Sequence, residues 1–427
     1  MNFKSSLKYL NQAEKYIPLG AQTFSKSKLV YPKKFSPLFI SKAKGSNIWD
    51  VDGNKFIDLV NGLLPVILGY QNQNVDSAIR KQLKKGITFS LSSPLEIKLS
   101  KLLCEIIPSA EMVRFAKNGS DATSACIRLA RAYTKKDYII CCGYHGWQDW
   151  YIGTTSRDIG VPKAVKNLSL KVKYNDLVSI EKVIKKHKGK IAAMIMEPSN
   201  FEKPDKNYFR KLQLILKKNN ILLIFDEICT GFRMSIGGAQ EFFNIRPDLS
   251  AFGKGMANGM PISAVVGKKK IMKYLEKVFF STTFSGETLS IVSAIETIKQ
   301  IKKKNVVKEI WEKGNYIKSA VKQLIQNYEL ENTISIKGYA PWTSIQFKEK
   351  RKSENLYIKS LFIKEMLGNG ILINSTNNIS YSLTKFQLNK IVRSYDKTFK
   401  VISEYKISKK KNKLLNENKV NPVFKIR

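Results

Sequence analysis

The stretch ILLIFDEICTGFR, residues 221–233, sets five apolar residues directly against two carboxylates, Asp226 and Glu227. Such a run reads as a buried strand that ends at Phe225 and delivers Asp226 to the crevice beyond its carboxyl end. An acid there has an ordinary use, capping a helix or pairing with Arg233. It also has a chemical use: it can face a protonated ring nitrogen of a cofactor and hold its charge. The neighbouring segments decide between the two.

On either side of this stretch, short β-rich runs alternate with helical patterns. MVRFA (112–116), YIICC (138–142), IAAMIME (191–197) and ILLIF (221–225) read as strands. SDATSACIRLARAYTKK (120–136), DLVSIEKVIKKHK (176–188) and NYFRKLQLILKKN (207–219) read as helices. Continuous apolar strands joined through helices predict an α/β fold with a mostly parallel central sheet and helices on both faces. NIWDVDGNKFIDL (47–59) differs, because alternation around an Asp-Gly pair predicts a β-hairpin. After about residue 305, long amphipathic helices return with a few strands such as SIQF. The expected organisation is an N-terminal segment 1–60, a large domain 61–305 and a C-terminal segment 306–427. The two end segments together build a smaller α+β domain.

Two further stretches follow predicted strands, and a third follows an apolar stretch. KNGSDATSA (117–125) opens a helix, with Gly119 permitting close approach and Ser120 offering a hydroxyl. The unpaired first amides of such a helix bind phosphate, although the same letters also make an N-capped turn. CGYHGW (142–147) offers Tyr144, His145 and Trp147, which can stack on a planar ring or pack on the core. SAFGKGMANGMP (250–261) places Lys254 between two glycines beside apolar residues. A lysine shielded in this way is expected to have a depressed pKa, which suits imine formation with an aldehyde. Phosphate cradle, aromatic ring, acid for a ring nitrogen and imine-forming lysine together describe a site for pyridoxal 5′-phosphate.

Composition removes several other classes. A hydrophobic content of 43% over 427 residues suits a folded protein of more than one lobe. No apolar run is long enough to cross a bilayer, and the N-terminus lacks the apolar core of a signal peptide, so a cytoplasmic protein without membrane partners is expected. The five cysteines fit no ligand spacing and read as reduced thiols. With only His145 and His187, no metal site is expected. The formal charge of +40 raises nucleic-acid binding as an alternative. Its basic clusters, 268–270, 302–304 and 409–411, are scattered and lack interleaved aromatics, so no nucleic-acid partner is expected.

At this point a family resemblance emerges. LLIFDEICTGFR (222–233) and PDLSAFGKGMANGMPISAVVG (247–267) resemble the signature of class III aminotransferases, the fold type I enzymes of pyridoxal phosphate. WDVDGNKFIDLV (49–60), AEMVRFAKNGSDATSACIRLARAYT (110–134), YHGW (144–147) and YND (174–176) resemble the glutamate-1-semialdehyde 2,1-aminomutases and their aminotransferase relatives. The resemblance runs from about residue 15 to about residue 400.

It implies that Lys254 forms the covalent link to the cofactor and that Asp226 pairs with its ring nitrogen. Gly119 and Ser120 would bind the phosphate, Tyr144 would lie over the ring with His145 beside it, and Glu197 would line the site. STTFSGET (281–288) resembles a segment whose threonine reaches the phosphate of a neighbouring subunit, and Thr283 is favoured over Thr282. A homodimer with active sites at the interface is therefore expected.

Departures from the aminomutase pattern concern the substrate. In GAQTFSKS (20–27), Lys26 stands where an arginine is usual and Thr23 where a serine is usual. The segment 144–176 is short for a lid that retains an intermediate. LINSTNNISYSLT (372–384) lacks an expected glutamate, and Gly-Glu-Thr at 286–288 replaces Gly-Asn-Pro. The expected activity is amino transfer between a small amino donor and a keto or aldehyde acceptor. The aminomutase reaction is the alternative; decarboxylation or epimerisation on the same scaffold comes after it.

Overall fold

The computed structural model describes residues 1–421. They group into two units. One gathers Met1–Leu63 and Ile67–Asn72 with the described residues from Lys308 onward; the other gathers Leu64–Val66 and Gln73–Val307. Compared with the expected boundaries, Asn61–Leu63 and Ile67–Asn72 join the N-terminal segment, while Val306 and Val307 stay with the larger unit.

The larger unit is built on a seven-stranded sheet. Its strands are β1 (Met112–Ala116), β2 (Tyr138–Cys142), β3 (Ser169–Lys171), β4 (Ile191–Met196), β5 (Leu222–Asp226), β6 (Leu249–Phe252) and β7 (Ser263–Gly267). They lie in the order β1-β7-β6-β5-β4-β2-β3. β7 runs antiparallel to both its neighbours, and every other pairing is parallel. The sheet is therefore mostly parallel, as its uninterrupted apolar strands predict. β1, β2, β4, β5 and β6 all point the same way. Register aligns their ends: Cys142 pairs with Met196, Met196 with Phe225, and Asp226 with Ala251.

Alternate side chains of these strands enter two separate cores. On one face Ile139, Cys141, Ala193, Ile195 and Ile224 pack against α1 (Gly119–Thr134) through Ala122, Cys126 and Leu129. On the other face Ile140, Met194, Met196, Leu223 and Phe225 meet α2 (Leu177–Lys186) and α3 (Tyr208–Lys218) through Ile180, Ile184, Leu212 and Leu216. Each wholly buried Leu or Ile contributes about 1.5–3 kcal/mol. This is the reason β4 carries six apolar residues without a polar break. α1 starts where the Asp121 carboxylate accepts from the Asn118 amide at 2.8 Å. It stops at Lys135, whose φ of 57° leaves the helical region. A further helix, α4 (Thr288–Lys303), closes the larger unit's chain.

The smaller unit holds two sheets. Asn47–Asp50 pairs antiparallel with Lys55–Asp58, giving the expected hairpin. Its turn is held by Asp50, which accepts from the amides of Asp52 and Asn54 at 3.0 and 2.7 Å. Gly53 supplies the positive φ of 84° that the turn requires. Ile371–Leu372 adds in parallel to Lys55–Asp58, so residues from both halves of the chain share one sheet. The second sheet is antiparallel, made of Ile334–Tyr339, Trp342–Phe347 and Thr376–Asn378. Among the described residues, no helix is long and apolar enough to cross a membrane.

Candidate active site

Five loops leave the carboxyl ends of β1, β2, β4, β5 and β6, and they carry the chemistry-bearing residues of the larger unit. Asp226 is the last residue of β5 and is 4% exposed. Its Oδ2 lies 2.8 Å from His145 Nδ1, and its Oδ1 accepts from the Ile228 amide at 3.1 Å. It does not pair with Arg233, whose buried guanidinium donates to the Leu64 carbonyl at 3.0 Å. Ile228 in turn packs against the backbone on both sides: Cβ atoms placed on Gly119 or Gly253 would lie 3.1 Å from it.

His145 is held from several directions. Its ring stacks on Trp150 with centroids 6.1 Å apart and meets Tyr151 edge-on at 5.2 Å. Its carbonyl accepts from the Thr123 hydroxyl at 2.9 Å. Its Nε2 is buried without a hydrogen-bond partner. The loop that carries it lies tight against the start of α1. Gly146 has φ of 106°, and a Cβ there would sit 2.6 Å from the Ser120 Cβ. Gly146→Ala is expected to cost about 1–3 kcal/mol of stability, which chemical denaturation checks.

The Tyr144 amide donates to Glu197 Oε2 at 2.8 Å, joining the ends of β2 and β4. Burial, and then the nearby Asp226 carboxylate, push the Glu197 carboxyl up to about 7. Unfolded, the same group titrates at its ordinary value of 4.5. Between these values the unfolded chain releases the proton first, so rising pH removes stability across that window. The contribution is complete below about pH 4.5 and gone above about pH 7. Glu197→Gln should make the cofactor-free protein's stability profile less steep over this range, where the equally raised Glu227 carboxyl still contributes; unfolding midpoints taken at steps of pH check it.

Lys254 follows β6 in a short turn and has a φ of 42°. Gly253 is extended, so the unusual backbone belongs to the lysine itself. Its Nζ lies 2.7 Å from Cys229 Sγ. The expected depressed pKa is corrected here. Burial pulls the amine down, but Cys229, Glu197 and Asp226 outweigh it, and the net direction is up. The adjacent Cys229 sulfur, and after it the two carboxylates, favour the ammonium more than desolvation opposes it.

The structure thus brings Gly119, Ser120, Tyr144, His145, Glu197, Asp226 and Lys254 to the same edge of one sheet. It does not place Thr283 among them: Thr283 is exposed on the turn before α4. Thr23 and Lys26 are exposed residues of the smaller unit. The sequence reading did not single out Cys229 or Trp150 and Tyr151. The signals were there, in a thiol three residues beyond Asp226 and a second pair of aromatics just after the YHGW stretch. All five cysteines are free. Among the described residues, no group of three or more His, Cys, Asp or Glu is arranged to hold a metal ion.

Comparison with solved structures gives the class first. The FumI protein of Sphingopyxis sp. MTA144, titled as its PLP internal aldimine form, superposes with a TM-score of 0.88 over 95% of this chain and 98% of its own, at 26% identity. The fold is that of the fold type I transaminases. The profile of the family described as "Aminotransferase class-III" matches residues 30–393. A glutamate-1-semialdehyde 2,1-aminomutase of Persephonella marina is 33% identical over 87% of this chain and 92% of its own length. A 3-aminobutyryl-CoA aminotransferase of Cloacimonas acidaminovorans is 36% identical over 81% and 84%. The chain belongs to the class III aminotransferase family.

The residues fit pyridoxal phosphate on three counts. A buried carboxylate is fixed by an imidazole, as a partner for a cationic ring nitrogen requires. The start of a sixteen-residue helix is closely approached by Gly146, with no room there for a side chain. A buried primary amine stands at the end of the adjacent strand.

Proposed function

We propose that this protein is a pyridoxal-phosphate-dependent aminotransferase that moves an amino group from a small amino donor to a keto or aldehyde acceptor. The observation that carries this reading is the Lys254 amine just after β6, together with the Asp226 carboxylate at the end of β5, which His145 holds at 2.8 Å. When bound, the cofactor supplies an aldehyde that exchanges between amines and a protonated ring that accepts the electron pair of a broken Cα–H bond.

The chain's own residues do the rest. Gly119 and Ser120, with the first amides of α1, hold the phosphate dianion. Asp226 keeps the ring nitrogen protonated, and His145 keeps Asp226 in place. Tyr144 covers one side of the ring, and Glu197 lines the crevice near it. Lys254 Nζ, once free, takes the proton from the substrate Cα and returns it to the cofactor side, as a general acid–base. Thr23 and Lys26 contribute to substrate recognition, with Lys26 as a point charge for a carboxylate.

Two copies of the chain form the working unit, with Thr283 of each serving the phosphate site of the other. The exposed apolar side chains Leu83, Ile87, Phe89, Leu91, Phe279 and Phe284 of the larger unit support this. A large contiguous apolar patch left in water marks an interaction surface. Thr288 donates to the Ile87 carbonyl at 2.9 Å, so the segments bearing them are neighbours.

Glutamate-1-semialdehyde aminomutase activity is the second reading, favoured by the Persephonella marina relative. Transfer ranks first because the segment after Tyr144 is short, and its Trp150 and Tyr151 are buried against His145. Incubation with glutamate-1-semialdehyde separates the two. Little 5-aminolevulinate is expected, together with turnover of other donor–acceptor pairs. Rapid 5-aminolevulinate formation at low protein concentration would reverse the ranking.

A further inference from the structure

We propose that Lys117 and Glu287 are a positioning pair that locks the phosphate-binding start of α1 to the segment 281–288 and thereby sets cofactor affinity. This rests on the reading that Gly119 and Ser120 hold the phosphate. Lys117 Nζ lies 2.6 Å from Glu287 Oε2 and 3.3 Å from Ser290 Oγ. Both side chains are largely withdrawn from water, at 17% and 11% exposure. The two residues are 170 positions apart in sequence, so the bond joins segments that no local structure holds together.

Each partner is itself anchored. Lys117 follows Ala116, the last residue of β1, and precedes the Asn118 that opens α1. The Asn118 carbonyl accepts from the Ser263 hydroxyl at 2.8 Å, pinning the cradle to β7. Glu287 caps α4, both carboxylate oxygens accepting from the Ser290 amide at 3.0 and 3.2 Å. Burial raises the Glu287 carboxyl, but the Lys117 and Ser290 bonds outweigh it and hold it below its ordinary range. One carboxylate thus fixes a helix start and a lysine, and that lysine adjoins the residues proposed to hold phosphate. A largely buried, hydrogen-bonded charge pair is costly to break from one side only, because the remaining charge stays in a poorly solvated place.

The test is a double-mutant cycle read as the pyridoxal phosphate dissociation constant, measured by absorbance and independently of turnover. Lys117→Met is expected to weaken binding about tenfold or more, because it leaves an unpaired carboxylate beside the phosphate cradle. Glu287→Asn keeps a helix-capping acceptor and is expected to weaken binding less. The double variant should bind more tightly than Lys117→Met alone, and Lys117→Arg should retain most of the affinity. Thermal unfolding of the cofactor-free proteins separates this from a purely structural role, which would lower stability and leave the dissociation constant unchanged. Unchanged dissociation constants, or losses that simply add, would overturn the proposal while the unsubstituted protein still binds cofactor. Failure of the unsubstituted protein to bind cofactor would overturn the proposed function itself, and with it the pair's role.

Discussion

Lys254→Ala protein, mixed with pyridoxal phosphate and reduced with borohydride, is expected to gain no cofactor mass at residue 254 and to lose at least about 10⁴-fold in turnover. The substitution removes two functions at once: the amine that binds the aldehyde reversibly and the base that moves the Cα proton. Neighbouring groups do not replace it. Cys229, at 2.7 Å, has its thiol pushed up by burial and is a poor base at neutral pH. Glu197 holds its own proton to about pH 7. Lys254→Arg should be equally inactive, since a guanidinium stays charged. The backbone at residue 254 has a positive φ that alanine tolerates no better than lysine, so stability should change little. Intact mass and peptide mapping after reduction check the first effect, and steady-state kinetics the second. A cofactor adduct at another lysine with near-normal turnover would remove Lys254 from the account.

Asp226→Asn should reduce turnover by about 10²–10³-fold with a smaller change in substrate KM. Asparagine keeps the shape but removes the charge that stabilises a protonated ring nitrogen when electrons arrive. The effect therefore belongs to the reacting state more than to binding. The His145 contact provides a second readout. Its Nδ1 loses an anionic acceptor, and leaving that buried imidazole poorly paired should cost about 1–3 kcal/mol in the cofactor-free protein. Asp226→Glu retains the charge but, with one more methylene, displaces the carboxylate towards a histidine packed by Trp150 and Tyr151. It should recover only part of the activity. An Asp226→Asn protein with normal turnover would show that this carboxylate is a structural partner of His145 alone.

Much of this site is legible in the sequence because parallel strands announce their ends. An apolar run that stops at a charge, as ILLIF stops at Asp226, marks both the strand and the crevice. MVRFA likewise stops at a charge, Lys117, and spans Met112–Ala116, whereas YIICC spans Tyr138–Cys142 and stops at a glycine, Gly143. What periodicity does not carry is the meeting of loops from different strands. His145 facing Asp226, Cys229 behind Lys254 and Lys117 reaching Glu287 all depend on the order of strands across the sheet. That order, β1-β7-β6-β5-β4-β2-β3, is not the chain order. The antiparallel β7 was hidden for the same reason, since SAVVG reads as any buried strand. The direction at Lys254 is not legible in the sequence, where only burial shows, as apolar and glycine neighbours. The groups that outweigh it, Cys229 first and then Glu197 and Asp226, arrive from the ends and loops of other strands.

The most direct test is a single half-turnover: cofactor-loaded protein mixed with an amino donor and no acceptor, with products counted per subunit. Amino transfer predicts one equivalent of keto or aldehyde product, the amine retained on the protein, and its recovery when a carbonyl acceptor is added. Release of carbon dioxide, or scrambling of the donor's stereochemistry without any oxo product, would contradict it.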